Sequence, residues 1–147
     1  MTTTLAGYQI AEELYEGSRT QVYRGLDAQN SRSVVLKKLR KEYPTFSELL
    51  QFRHQYVLTK NLKVPGIVRA ITLEKEGNGY VLVMEDVGGV SLLEYIALRP
   101  LNLERFFSVA IALIKIIENL HKERIIHKDI KPANILINPE TKEIFLI

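Results

Sequence analysis

Four polar residues lie close together in one short stretch between apolar segments: His127, Asp129, Lys131 and Asn134. A carboxylate there can orient an incoming hydroxyl and accept its proton, and a cation can stabilise charge on a phosphoryl group. An amide oxygen can hold Mg²⁺, which prefers hard oxygen ligands. Asp129, Lys131 and Asn134 supply these three groups in one loop, which is a set that phosphoryl transfer can use. A bare His-x-Asp would be explained as a polar turn, but the full run into Ile135 argues against that.

The residues upstream predict the elements that must position a substrate for this loop. Runs rich in β-branched and apolar residues predict strands over residues 8–15, 21–26, 33–39, 68–74 and 80–85. The first three follow one another so closely that an antiparallel meander is expected. Thr45 and Glu48 have the form of a capping box and predict a helix over residues 46–61, which ends before Pro65.

The second half of the chain is predicted to be mainly helical. Ser91 and Glu94 form a second possible capping box, and Asn102 can cap a longer helix whose middle, residues 106–117, is apolar on nearly all sides. Short strands are expected over residues 135–138 and 143–147. The order predicts an α+β chain with a five-stranded antiparallel sheet and one inserted helix in residues 1–85, a hinge at 86–90, and a helical lobe in 91–147.

Composition excludes several classes of protein. The net charge is +3, and the basic residues are dispersed among acids, so nucleic-acid binding is not expected. There are no cysteines, which excludes disulfides and thiolate metal sites and fits a cytoplasmic location. The most apolar stretch, residues 109–117, is too short to cross a bilayer and contains Lys115, and the N-terminus does not resemble a signal peptide.

Residues 126–136 resemble the catalytic loop of protein kinases, which is written His-Arg-Asp-Leu-x-x-x-Asn. Lys128 replaces the usual arginine and keeps its charge. Lys131-Pro132 is typical of the serine/threonine kinases, whereas small-molecule phosphotransferases of the aminoglycoside type usually lack this pair. The resemblance therefore implies a kinase-like two-lobe fold that uses ATP and Mg²⁺, with Asp129 as base, Lys131 beside it and Asn134 as a metal ligand.

The resemblance also assigns residues that would hold ATP. Residues 34–37 are similar to the Val-Ala-Ile-Lys strand, so Lys37 would contact the α- and β-phosphates. Lys38 is a competitor, but strand alternation places the two lysines on opposite faces. Only Gly17 is kept from the three glycines of the phosphate loop, because Tyr15 and Thr20 stand at the other two positions. Leu14 and Val22 would enclose the adenine from above.

Residues 83–89 resemble the segment that joins the lobes of kinases. Met84 would be the gatekeeper at the back of the pocket, and backbone groups of Glu85 and Val87 would bond the adenine edge. The glutamate that pairs with the strand lysine in active kinases is replaced by Gln55. A neutral amide is a weaker partner for Lys37 than a carboxylate would be.

The chain contains no Asp-Phe-Gly, the triplet whose aspartate binds magnesium in kinases. We therefore expect the sequence to be C-terminally incomplete, transfer by it alone to be very slow, and the apolar helix to lose its cover and cause aggregation. The resemblance extends to N-terminal kinase modules of large bacterial, especially cyanobacterial, signalling proteins with ATPase, GAF and histidine kinase domains, which implies downstream domains.

Three functions are compatible with these features. The first is a serine/threonine protein kinase, whose protein substrate the sequence does not identify. The second is a nucleotide-binding regulatory pseudokinase, which Gln55 and the sparse glycines favour mildly. The third is a small-molecule phosphotransferase, which Lys131-Pro132 disfavours.

Overall fold

The computed structural model of the chain describes residues 3–147, which divide into two units. One unit comprises the chain up to Leu62 together with Arg69–Asp86, and the other comprises Lys63–Val68 and Val87–Ile147. The first unit is built on a six-stranded antiparallel sheet in the order β1-β2-β3-β4-β6-β5. Its strands are β1 (Thr4–Leu5), β2 (Tyr8–Glu16), β3 (Thr20–Asp27), β4 (Arg32–Leu39), β5 (Ala70–Glu76) and β6 (Gly79–Glu85).

The sheet has one strand more than the five predicted. The additional strand is β1, which pairs with the start of β2 through a turn in which Ala6 and Gly7 both have positive φ. Positive φ at both central residues is the pattern of a type I′ hairpin turn, which suits the twist of antiparallel strands. Leu5 is buried in the core of this unit, and its burial stabilises β1. A strand of two residues is too short to be predicted from a sequence pattern.

The central strands β4 and β6 are buried on both faces. One cluster of buried side chains contains Leu5, Val34, Leu36, Val81 and Val83. The intervening residues of the same strands, Val35, Leu82 and Met84, are buried on the opposite face. Strands buried on both faces read as continuous apolar runs rather than as alternating patterns. This packing fixes the backbone on which Lys37 and Met84 are carried.

The helix α1 (Phe46–Lys60) begins at the predicted capping box. The Thr45 hydroxyl accepts a hydrogen bond from the Glu48 N–H at 3.2 Å, and the Glu48 carboxylate accepts one from the Thr45 N–H at 2.8 Å. Lys41 forms an ion pair with Glu48 at 2.9 Å. These contacts satisfy donors that the first helical turn leaves unpaired. Phe52 is the buried residue of the helix, which packs against β5 and β6.

Replacing Glu48 with glutamine is expected to destabilise the protein in a pH-dependent way. Hydrogen bonds from Thr45 and from Lys41 lower the pKa of Glu48 from 4.5 to about 2. A carboxyl group whose pKa is lower in the folded state stabilises the fold above its unfolded pKa, and this contribution disappears as the pH falls from about 4.5 through about 2. The stability deficit of Glu48→Gln, measured by urea unfolding, should therefore be larger at about pH 7 than at about pH 3.

The matched control for this measurement is Glu42→Gln, because Glu42 lies in the same segment and has no ion pair among residues 3–147. Its stability deficit should be small at both pH values, because no ion pair is lost. Equal pH dependence in the two variants would contradict the assigned role of Glu48.

The second unit contains two α-helices and a small sheet. Its elements are β7 (Val90–Ser91), α2 (Leu92–Leu98), α3 (Leu103–Lys122), a 3-10 helix (Pro132–Asn134), β8 (Ile135–Ile137) and β9 (Ile144–Leu146). The strands form an antiparallel sheet in the order β7-β8-β9. The Ser91 and Asn102 side chains cap α2 and α3 as predicted, by accepting bonds from the N–H groups of Glu94 and Arg105. Ile67 adds a parallel bridge to Leu146.

The apolar helix α3 buries only part of its surface within its unit. Ile116 and Leu120 are buried, and the Phe106 and Phe107 rings contact each other edge to face at 5.7 Å. Both phenylalanines are about half exposed, and three other large apolar residues of the helix are exposed by half or more: Leu103, Ile111 and Ile114. The exposed face expected from the sequence is therefore present, and its effect on solubility stays a prediction. None of the helices within residues 3–147 combines the length and apolar character required to span a membrane.

Candidate active site

The predicted loop residues of the second unit are in direct contact with one another. The Asn134 side-chain nitrogen donates hydrogen bonds to the Asp129 carbonyl and to its carboxylate Oδ2, both at 2.8 Å. Lys131 Nζ forms an ion pair with the same Oδ2 at 3.4 Å. Since both partners of Asn134 are acceptors, the atom facing them must be its amide nitrogen. The loop therefore brings Asp129, Lys131 and Asn134 together around one carboxylate.

His127 holds this loop through both of its ring nitrogens. The Asp129 backbone N–H donates to Nδ1 at 3.2 Å, and Nε2 lies 3.0 Å from the Ile147 carbonyl. An acceptor role for Nδ1 and a donor role for Nε2 require the neutral tautomer with its proton on Nε2. Lys128, between His127 and Asp129, has a left-handed backbone with φ of 68°. These contacts are those of a residue that organises the loop.

The environment of Asp129 favours the ionised carboxylate. Partial burial raises the pKa of Asp129, but hydrogen bonds from Asn134 and Lys131 and the charge of Lys131 outweigh it. The pKa therefore lies below its usual value. At neutral pH the group is consequently a proton acceptor in its charged form.

Asn134 has the chemistry required of a magnesium ligand. Its amide nitrogen makes both bonds to Asp129, which leaves the amide oxygen as the polar atom available to a cation. Its backbone is fixed as well, because the Asn134 N–H donates to Lys131 and its carbonyl accepts from the Ile147 N–H at 3.0 Å. A hard amide oxygen on a fixed backbone fits Mg²⁺.

In the first unit, Lys37 faces α1. Its Nζ donates a hydrogen bond to Gln55 Oε1 at 3.3 Å and lies 6.0 Å from the centre of the Phe52 ring. Lys37 pairs across the sheet with Val22 on β3 and with Leu82 on β6, so these side chains share its face. Lys38 follows on the opposite face. Of the two lysines, Lys37 is therefore the one that contacts Gln55.

Residues 16–20, here called the Gly17 loop, connect β2 and β3. The Gly17 N–H donates to the Thr20 carbonyl at 2.9 Å. The Tyr15 ring lies directly on Gly17, and a Cβ atom built on this glycine would lie 2.7 Å from ring carbons. Leu14 falls at an irregularity in the pairing of β2 with β3, so Tyr15 is the residue opposite Val22. Tyr15 therefore lies on the Lys37 face, and no sequence pattern indicated this.

Three residues of the segment that resembles the kinase lobe connection, Met84, Glu85 and Val87, have contacts within their own units. Met84 is buried opposite Val35 and Ala70. The Glu85 N–H donates to the Arg69 carbonyl at 3.0 Å, and the Glu85 carboxylate accepts from the Arg69 N–H at 2.9 Å. In the second unit, the Val87 carbonyl accepts a bond from the Asn138 side chain at 3.2 Å.

Sequence reasoning missed the polar network around Asp86. The Asp86 carboxylate accepts hydrogen bonds from Arg24 Nε at 2.8 Å and from the Ser33 hydroxyl at 2.6 Å. Arg24 also forms an ion pair with Glu12 at 2.8 Å. Burial lowers the pKa of Arg24, but its bonds with Asp86 and Glu12 outweigh burial and raise it overall. The only sequence feature that pointed to this network is an acidic residue, Asp86, directly after β6.

Comparisons with known proteins show which family this chain is similar to. A family model described as the protein kinase domain matches residues 8–147. The serine/threonine-protein kinase PrkC of Bacillus subtilis is 35% identical over 133 residues, which cover 89% of this chain and 20% of that kinase. A probable serine/threonine-protein kinase of Clostridium perfringens is 30% identical over 135 residues, which cover 90% of this chain and 20% of that protein. The chain thus spans about a fifth of the length of these relatives.

The fold class predicted from the sequence is confirmed by a solved structure. The PpkA-294 apo form matches with a TM-score of 0.83 at 22% identity and covers 99% of this chain and 59% of that one. At that identity the likeness shows the fold alone, whereas the family model and the relatives are matches in sequence. The chain belongs to the family of protein kinase domains.

Proposed function

We propose that this chain takes part in ATP-dependent phosphoryl transfer to serine and threonine hydroxyls of proteins. The observation that carries the proposal is the Asp129 carboxylate, which is bonded by Asn134 at 2.8 Å and paired with Lys131 at 3.4 Å. A polar turn without function would not need a carboxylate, an ammonium and an amide directed at one point. Phosphoryl transfer needs this arrangement, because positioning and charge stabilisation supply most of its catalysis.

In the proposed reaction, a substrate hydroxyl oxygen bonds to the γ-phosphorus of ATP while the bond to the ADP oxygen breaks. Asp129 orients the hydroxyl group and takes its proton, and its lowered pKa keeps it charged for this role. Lys131 would stabilise negative charge on the transferred group. Mg²⁺ would neutralise phosphate charge, and Asn134 would hold it through its amide oxygen.

The nucleotide would be bound by groups whose own contacts suit that role. Lys37 would contact the α- and β-phosphates as a point charge. The Glu85 N–H and the Val87 carbonyl are engaged elsewhere, so the Glu85 carbonyl and the Val87 N–H are the groups proposed for the adenine edge. The remaining residues proposed to line the nucleotide are Leu14, Gly17, Val22 and Met84.

The proposal includes slow transfer by these 147 residues alone, because Asn134 is the only magnesium ligand that the resemblance assigns to them. A role in signalling, further domains and a cytoplasmic location belong to the same proposal. The alternative is a regulatory pseudokinase that binds nucleotide without transfer. The neutral contact between Lys37 and Gln55 favours it, because a carboxylate would hold the lysine more firmly.

The substitution Lys37→Met is expected to weaken MgATP binding about tenfold, which corresponds to one lost charge-assisted bond of about 1.4 kcal/mol. Lys38→Met is the matched control, because Lys38 is the next residue of the same strand and lies on the opposite face. Binding is measured by calorimetry on the full chain. Equal weakening in both variants, or none in either, would contradict the assignment of Lys37.

The same samples distinguish the two candidate functions. Slow transfer of labelled γ-phosphate to serine or threonine residues supports the kinase. Tight MgATP binding without any transfer, even at long incubation times, supports the pseudokinase. Transfer to a small alcohol in preference to protein would contradict both.

A further inference from the structure

Arg40, the residue directly after β4, contacts the Gly17 loop at three points. Its backbone N–H donates to the Arg19 carbonyl at 2.9 Å, and Nη1 donates to the Gly17 carbonyl at 3.1 Å. Its Nη2 forms an ion pair with the Glu16 carboxylate at 3.1 Å. One residue thus connects the end of the strand that carries Lys37 with three residues of the loop.

The negative charge of Glu16 explains why the Gly17 loop needs a cation beside it. A carboxylate in a loop that approaches a polyphosphate would repel it. The Arg40 guanidinium compensates this charge, and the Gln21 side chain donates a further bond to Glu16 at 3.3 Å. Both members of the ion pair have side chains that are 45% exposed, so their contribution to global stability is small. Their effect is therefore local to the loop.

Further contacts keep the Gly17 loop compact. The Tyr15 ring fills the space where a side chain at residue 17 would lie, so a Cβ atom there would displace the ring. The Gly17 N–H is used within the loop, by the Thr20 carbonyl. Within residues 3–147, the N–H groups of Ser18 and Arg19 have no hydrogen-bond partner, so they are the loop donors that a phosphate can use.

We propose that Arg40 is a positioning residue for the nucleotide: it holds the Gly17 loop in the shape that presents these donors and compensates the Glu16 charge. This inference rests on the proposed binding of ATP. Two glycines of the usual phosphate loop are replaced here by Tyr15 and Thr20, and Arg40 with Tyr15 supplies the loop with a fixed shape.

The test compares Arg40→Ala, Arg40→Lys and the control Arg32→Ala on the full chain. Arg32 is the same residue type at the opposite end of β4, and its side chain has no ion pair among the described residues. Arg40→Ala is expected to raise the Kd for MgATP about tenfold, and Arg40→Lys less, because lysine keeps the charge but cannot bond both partners as a fork. Arg32→Ala should leave the Kd unchanged.

A second readout needs no nucleotide. Amide hydrogen exchange of Gly17, whose N–H is bonded to Thr20, should become faster in Arg40→Ala and remain unchanged in Arg32→Ala, without a change in the unfolding midpoint. If the wild-type chain fails to bind MgATP while Gly17 exchange still responds, the proposed function fails and the loop-holding role of Arg40 stands. Unchanged affinity together with unchanged Gly17 exchange in Arg40→Ala would overturn the inference.

Discussion

Replacing Asp129 with asparagine is expected to reduce phosphate transfer by a factor of about 10² to 10⁴, the usual contribution of a general acid–base group. Asparagine has nearly the same shape, and its side-chain oxygen can still accept the bond that Asn134 donates to Asp129 at 2.8 Å. The loop should therefore keep its structure, while the charge that pairs with Lys131 and the site for the proton are both lost.

The measurement is incorporation of labelled phosphate into serine and threonine at long incubation times, alongside the unfolding midpoint of each variant. Where a natural protein continues beyond residue 147, the same substitution is made in it. Asp27→Asn is the control, because Asp27 accepts a bond from the Gln29 N–H in a turn distant in sequence from the loop. Transfer that survives Asp129→Asn would refute the assignment of the base, and equal losses in both variants would indicate a general effect.

Replacing Gly66 with alanine is expected to lower the free energy of unfolding by about 2–4 kcal/mol. Gly66 has a φ of 85°, which any residue with a Cβ atom adopts only under strain. The added Cβ would also lie 2.6 Å from side-chain atoms of Ile116, which is buried on α3. Moving either partner would disturb the bond that the Gly66 carbonyl accepts from the Leu146 N–H at 2.7 Å.

Gly7→Ala separates these two causes. Gly7 has nearly the same φ, 86°, but a Cβ there would meet nothing within 4 Å. The free energy of unfolding should therefore fall by about 1 kcal/mol in Gly7→Ala, from backbone strain alone. Urea unfolding of both variants gives the difference, which is the cost of the overlap with Ile116. Equal decreases in the two variants would mean that Ile116 can move away from the added Cβ atom without cost, which would contradict its packing on α3.

Most of the local structure could be predicted from the sequence. The Thr45 and Glu48 pair marks the start of α1, and Asn102 marks the start of α3, because both signals act within one helical turn. The exceptions are β7 and β1, because two residues are too few to show a period, and β1 lies at the edge of its sheet. The existence of β1 depends on burial of Leu5 against residues distant in sequence, which a local pattern does not contain.

For the candidate site, whether a contact could be predicted from the sequence depends on how far apart its two residues are in the chain. Asp129, Lys131 and Asn134 lie within six residues, and the contacts among them follow from the local turn and the 3-10 helix. Alternation predicted that Lys37 and Lys38 lie on opposite faces. It could not say which face α1 covers, because that depends on the packing of the helix against the sheet.

The sequence by itself therefore determined the kinase family and nearly all the helices and strands, and it placed Asp129, Lys131 and Asn134 in one short loop. Only the tertiary structure decided that Lys37 meets Gln55, that Arg24 anchors Asp86 from 62 positions away, and that Arg40 holds Gly17 from 23 positions away. The physical reason is the same in each case. Turns, caps and short loops are set by neighbouring residues, whereas these partners are brought together by the register of the sheet and the packing of α1 on it.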